Sequence, residues 1–149
     1  MNRASFDVGR MLSRVVAREV RVRPGVRTAL GGLSDGIAVV GDEELLERAF
    51  ENLVRNAADA AGPGGQVSIA VGRVPAAVAV TIEDDGPGMP PERRREIRPF
   101  SSSKAGGLGL GLPIAIKIVR LHGGELMLGD GNLHGLRVTV LLPTEGPPA

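Results

Sequence analysis

Apolar positions switch between two periods along this chain, and the switches divide it into elements. From Gly9 to Val20, apolar residues stand at Met11, Leu12, Val15, Val16 and Val20, the spacing of a helix with one buried stripe. Arg10, Arg14 and Arg18 recur every fourth position on another side and read as a solvated face. Val22 to Leu30 reads as a strand interrupted at Pro24-Gly25, and Ile37 to Val40 as a short buried strand after the turn signals Gly31-Gly32 and Ser34-Asp35-Gly36. Asp42 is a good N-cap, and Glu43 and Glu44 behind it complement the positive end of a helix. That helix runs to Ala61, with Leu45, Leu46, Ala49, Leu53, Ala57 and Ala60 on one broad face, and Gly62-Pro63-Gly64-Gly65 stops it. Alternation returns at Val67 to Val71 and Val78 to Ile82, two strands joined near Pro75. Asp84 to Pro91 reads as a loop, Pro91 to Ile97 as a short helix, and Arg98 to Gly109 as loop again. An apolar helix follows from Leu110 to Leu121, then a final hairpin of Glu125 to Leu128 and Leu136 to Leu142.

Sequence-adjacent strands alternating with separated helices predict an α+β fold: a two-layer α/β sandwich, one mixed and mostly antiparallel sheet with helices on one face. The 149 residues suffice for one domain with a real core, here spanning 1–149, with a lead-in segment over 1–8 and a frayed tail over 143–149. Only three Phe and no Trp or Tyr make that core aliphatic. A net charge of +1 gives no field that would draw in nucleic acid or a membrane surface. The absence of Cys excludes disulfides and thiolate metal sites, and two isolated His argue against zinc. No apolar run reaches bilayer length, so the expected location is the cytoplasm, although a longer parent could carry membrane segments.

Three motifs carry chemistry. On the long helix, Asn52 and Asn56 stand four apart and share a face, with Asp59 three further on. Asn has poor helix propensity, yet here it borders the apolar stripe, where a carboxamide oxygen suits a hard cation such as Mg²⁺. Taken alone, two hydrogen-bonded polar residues at a core edge explain it equally well. Next, Glu83-Asp84-Asp85-Gly86-Pro87-Gly88-Met89 follows a strand directly. A carboxylate there can accept from an amino group such as that of adenine, and glycines let the backbone pass close to a flat ring; an ordinary acidic turn would look the same. Last, Lys104-Ala105-Gly106-Gly107-Leu108-Gly109-Leu110-Gly111-Leu112 runs into the apolar helix. Glycines permit close approach, and the helix N-terminus turns unpaired N–H groups toward an anion, which reads as a phosphate cradle. Its spacing fits neither a P-loop nor the dinucleotide fingerprint.

In this order the motifs resemble the ATP-binding fold shared by sensor histidine kinases, Hsp90-type chaperones, MutL and type II topoisomerases, often called the Bergerat fold. The resemblance covers roughly residues 42–142 and is nearest to the catalytic domain of two-component histidine kinases. Asn52 to Ala57 looks like the asparagine box and Asp84 to Met89 the first glycine box. Arg98-Pro99-Phe100-Ser101-Ser102-Ser103-Lys104 resembles the phenylalanine box, and Gly107 to Leu112 the second glycine box. The resemblance implies ATP and Mg²⁺ as cofactors. Asn56 would hold Mg²⁺, Asn52 would lie beside the phosphates, and Asp84 would bind the adenine amino group. Gly86 and Gly88 would border the ring. Gly107, Gly109, Leu110 and Gly111 would wrap the phosphates under a mobile lid over 98–109, with Phe100 as its anchor and Lys104 on the γ-phosphate. The implied reaction is transfer of that phosphate to a histidine on a separate dimerisation domain, with a response regulator further downstream.

Chemistry narrows the branch. ATPases and serine kinases of this fold resemble one another in placing a Glu four residues before the Mg²⁺ asparagine, because water and serine need a base. Here that position is Asn52, and Glu51 is one residue off, about 100° around the helix. A neutral imidazole needs less help, so Asn52 favours a histidine acceptor. Many histidine kinases carry a Lys and then an aromatic residue three and four positions after the Mg²⁺ asparagine; here these are Asp59 and Ala60. Leu136 stands where a small hydroxyl residue is frequent. The alternatives are an ATP-gated conformational module of the chaperone or mismatch-repair kind, a pseudokinase interaction module and an anti-sigma-type serine kinase. Neither His122, expected to sit as a cation on a helix C-terminus, nor His134, in a hairpin turn, reads as the phosphoacceptor.

Overall fold

A computed structural model describes residues 1–32, 36–89 and 111–145. The elements run β1 (Ala4–Asp7), α1 (Val8–Val22), β2 (Arg27–Gly32), β3 (Ala38–Gly41), α2 (Glu43–Ala61), β4 (Gln66–Val74), β5 (Ala77–Asp84), α3 (Gly111–Leu121), β6 (Glu125–Asp130) and β7 (Leu136–Pro143). Five strands form the main sheet in the order β2-β4-β5-β7-β6, antiparallel throughout except for the parallel β2–β4 pair. The helices pack on one face of this sheet, so the expected α+β sandwich is the observed architecture.

Two departures concern the N-terminal third. The expected single sheet is joined by a separate ribbon, in which β1 pairs antiparallel with β3 from Ala4↔Gly41 to Asp7↔Ala38. The lead-in segment therefore contributes a strand, which Phe6 anchors in the core. The second departure is that α1 continues through Val22, where a strand was expected. Arg23 N–H bonds back to the Glu19 carbonyl at 2.8 Å, and the strand begins only at Arg27, after the Pro24-Gly25 turn. The buried stripe of α1 also ends differently: Glu19 is buried and Val20 is exposed.

The asparagine helix forms as its signals imply. The Asp42 carboxylate accepts from Leu45 N–H at 3.1 Å, Glu43 and Glu44 occupy the first turn, and Gly62 follows the last one. Its buried face is rotated from the expected one. Phe50, Val54 and Ala58 are fully buried beside Leu46, Ala49 and Leu53, whereas Ala60 is exposed. One side of α2 meets α3 and the sheet, and another meets α1. The arginine face of α1 is less solvated than expected: Arg14 bonds Glu43 and Glu47, and Arg18 bonds Glu47 and Glu51, zipping α1 to α2.

His122 is a buried joint between α3 and the start of α2. Asp42 N–H donates to its Nε2 at 3.0 Å, and its Nδ1 lies 2.8 Å from the Ile118 carbonyl. A backbone N–H can only donate, so Nε2 accepts and Nδ1 carries the proton. The ring thus ties α3 to the start of α2 through both of its nitrogens. At the other end of the sheet Thr144 is fixed rather than frayed: its carbonyl accepts from Val40 N–H at 3.0 Å, and its N–H donates to the Ala76 carbonyl at 3.2 Å. Among the described residues no helix is long and apolar enough to cross a membrane.

Candidate functional site

A cleft of about 320 Å³ opens between α2, the ends of β5 and β7, and the first turn of α3. Its walls are apolar: Leu53 and Ala57 from α2, Met89 from the loop after β5, Leu112 from α3, and Leu136 and Val138 from β7. Its polar groups are few, namely Asn56, Asp59 and Asp84. An apolar cavity of this size with a few convergent polar groups is the usual build of a small-molecule site.

Asp84 owes its place to strand alternation. Along β5 the buried positions are Val78, Val80, Ile82 and Asp84, so the carboxylate sits where the pattern otherwise puts core side chains. It is only 3% exposed. Among the described residues no cation pairs with it; instead Oδ1 accepts from Gly86 N–H at 2.9 Å and Leu136 N–H at 3.4 Å. Burial pushes its pKa above the ordinary Asp value, and the two N–H donors only partly offset that. Its neighbours face elsewhere. Glu83 accepts from Asn132 N–H at 2.6 Å and meets Arg137, while Asp85 accepts from Gln66 N–H at 3.0 Å. Of three consecutive acids, only Asp84 lines the cleft.

Gly86 and Gly135 make that placement possible. A Cβ on Gly86 would strike the Ala60 carbonyl at the end of α2, and one on Gly135 would strike the carbonyl and carboxylate of Asp84. Gly88 has φ +78°, a left-handed conformation that glycine adopts without strain, and it lines the cleft. Gly135 is absent from the motif-based set. Its constraint comes from contact with a residue far away in sequence, and the turn glycine ahead of β7 was its only local signal.

The structure thus brings Asn56, Asp84 and Gly88 to one cleft, with Gly86 directly behind it. Asn52 is half-buried on α2 and does not line the cleft. Gly111 opens α3, whose next residue, Leu112, forms part of the wall. Phe100, Lys104, Gly107, Gly109 and Leu110, and with them the 98–109 segment, lie outside the described residues. Glu51 is directed at Arg18 on α1, away from the cleft. Asp59 and Ala60, the departures noted in the sequence, both line the cleft and are exposed.

Comparison with known proteins agrees with this build. The family model described as histidine kinase-, DNA gyrase B-, and HSP90-like ATPase matches residues 41–146. Sporulation kinase C of Bacillus subtilis is 37% identical over 111 residues, which is 74% of this chain and 26% of that protein. The chain therefore spans about a quarter of the length of such curated relatives. Among solved structures, the catalytic domain of histidine kinase ThkA superposes with a TM-score of 0.89 over 99% of this chain and 100% of that one at 24% identity, a likeness of fold. The mycobacterial sensor histidine kinase MprB superposes with a TM-score of 0.83 at 30% identity, over 99% of this chain and 100% of that one. The match over 41–146 and the likeness to MprB along nearly the whole chain place this protein in the histidine kinase-, DNA gyrase B- and HSP90-like ATPase family, with sensor histidine kinases as its relatives.

Proposed function

We propose that this chain is the catalytic domain of a sensor histidine kinase, binding ATP·Mg²⁺ and presenting the γ-phosphate to a histidine on a separate dimerisation domain. The observation that carries the reading is Asp84: a buried carboxylate lining an apolar cleft, fixed by two backbone N–H groups. An acceptor left in that state suits a donor on a flat, mostly apolar ligand, and the 6-amino group of adenine fits. Met89, Leu136 and Val138 would pack on the ring. Asn56 borders the same cleft and offers a carboxamide oxygen, a donor type that suits Mg²⁺ beside phosphate oxygens and water. When bound, Mg²⁺ would neutralise charge on the phosphates. The described residues hold no cluster of three acidic, His or Cys side chains that would bind a metal without the nucleotide. The N-terminus of α3 at Gly111 would turn its N–H groups toward the phosphates. Asn52, Gly107, Gly109 and Leu110 are assigned to the phosphate end, Phe100 to anchoring the segment over it and Lys104 to the γ-phosphate, by resemblance alone.

Catalysis here would be positioning and charge stabilisation, with the attacking imidazole supplied by the partner domain. The engagement of Glu51 with Arg18 supports this over hydrolysis or serine phosphorylation, because it leaves position 52, an Asn, facing nearest the Asn56 side without a general base. ThkA is known in complex with the response regulator TrrA, and a response regulator is the corresponding downstream partner proposed here. Calorimetric titration of the chain with ATP and Mg²⁺, beside Asp84→Ala, tests the reading. Saturable binding lost in a folded Asp84→Ala variant is expected; equal binding by the two proteins, or none by the wild type, sinks it.

A further inference from the structure

Asp59 is a second carboxylate on the cleft, and the structure prepares it unlike Asp84. It lies three residues past Asn56 on α2 and lines the cleft, with its side chain 52% exposed. Arg23, just beyond the end of α1, reaches across to it: Nε donates to Oδ1 at 3.0 Å, and Nη2 lies 2.8 Å from the same oxygen in an ion pair. The third arm of the guanidinium, Nη1, is taken by Glu19 at 2.5 Å, and Glu19 is itself nearly buried. One oxygen of Asp59 is therefore clamped by a cation that a buried carboxylate orients in turn. No described residue donates to Oδ2.

A carboxylate on a cleft that admits a triphosphate would repel it, and the Arg23 charge offsets that repulsion. What remains is an oriented acceptor of low net charge on the cleft. ATP carries three kinds of hydrogen-bond donor: the 6-amino group and the 2′- and 3′-hydroxyls of ribose. Asp84 takes the first. A ribose joins a base seated there to phosphates beside Asn56, and Asp59, three residues past Asn56, lines the same cleft. We propose that Asp59 reads the sugar, its Oδ2 accepting a hydrogen bond from a ribose hydroxyl, with Arg23 as the positioning residue. This rests on the nucleotide reading of the cleft and adds a determinant for ribonucleotides over deoxyribonucleotides.

The test is calorimetric titration of the full chain with ATP, 2′-deoxy-ATP and 3′-deoxy-ATP, each with Mg²⁺ and again in EDTA, for the wild type, Asp59→Ala and Asp59→Asn. A hydrogen bond to a charged acceptor corresponds to a loss of about tenfold or more in wild-type affinity for at least one deoxynucleotide. Asp59→Ala should bind all three alike, and Asp59→Asn, which keeps an acceptor oxygen, should retain part of the preference. The proposal is overturned by a wild type that binds the three equally, by a preference that survives in Asp59→Ala, or by uniform tightening of all three in that variant, which would make Asp59 a source of repulsion only. A preference that disappears in EDTA would assign Asp59 to the metal and equally overturn it. Because the wild type alone must discriminate, misfolding of a variant does not protect the idea. A wild type that binds no nucleotide at all fails differently, taking down the reading of the cleft itself.

Discussion

The cleft holds two aspartates, one buried and one exposed, and the chain treats them in opposite ways. Asp84 is buried, has backbone N–H groups for partners, and is pushed toward its protonated form by burial. Asp59 is half in water and rests on a guanidinium. Burying a carboxylate without a cation opposes folding, while an exposed ion pair costs and contributes little. The difference teaches where this domain has given up stability for an unfilled acceptor: at Asp84, and not at Asp59.

The largest effect should come from Asp84→Asn. An amide can keep its oxygen on Gly86 and Leu136 N–H while turning an NH₂ into the cleft, donor against the adenine amino group. Loss of a charge-assisted bond and its replacement by that clash should weaken ATP binding about 100-fold or more. Stability should move the other way. A carboxyl whose folded pKa is raised binds its proton more tightly folded than unfolded, so its contribution falls as pH rises through the window above the ordinary value of 3.8. At pH 7 Asp84→Asn should therefore melt higher than the wild type, and the gap should narrow toward pH 4. A variant that melts no higher at pH 7 removes the claim that burial strains Asp84.

Gly135→Ala should come next. The added methyl would press on the Asp84 carbonyl and carboxylate, displacing the acceptor without removing it. About tenfold weaker ATP binding is expected, equivalent to about 1.4 kcal/mol. Unchanged affinity in a folded variant would show that the Asp84 carboxylate tolerates displacement.

How far these features could be read in the sequence depends on the range of their causes. The α2 signals are local, and Asp42, the apolar spacing from Leu45 to Ala60 and Gly62 place that helix within a residue of its ends. Asp84 was legible as chemistry, but the strand was ended at Ile82; carrying the alternation of Val78, Val80 and Ile82 one step further puts Asp84 on the buried face. Glu19 escapes an apolar pattern because it is a buried acid whose burial depends on Arg23. The β1–β3 ribbon and the parallel β2–β4 pair depend on which edges meet in space, which periodicity does not encode. Gly135 answers to a residue 51 positions away (135 against 84), so only the packed chain reveals its constraint. Gly107, Gly109, Leu110 and Lys104 rest on motif and resemblance and lie outside the described residues.

The smallest effect separates the two aspartates by stability alone. Asp59→Ala removes an exposed partner, and its ion pair with Arg23 should be worth no more than about 0.5 kcal/mol at ordinary ionic strength, less as salt is added. Arg23→Met takes away the same pair but also leaves Glu19 nearly buried without its cation, so it should cost more, about 1 kcal/mol. Denaturant titration of both variants at low and high salt measures the difference. If Asp59→Ala costs as much as Arg23→Met, the Asp59–Arg23 pair carries structural weight like that of a buried one. The contrast with Asp84 would then be one of partner rather than of burial. If it costs little, any loss of sugar preference in Asp59→Ala belongs to the missing acceptor rather than to a loosened α2.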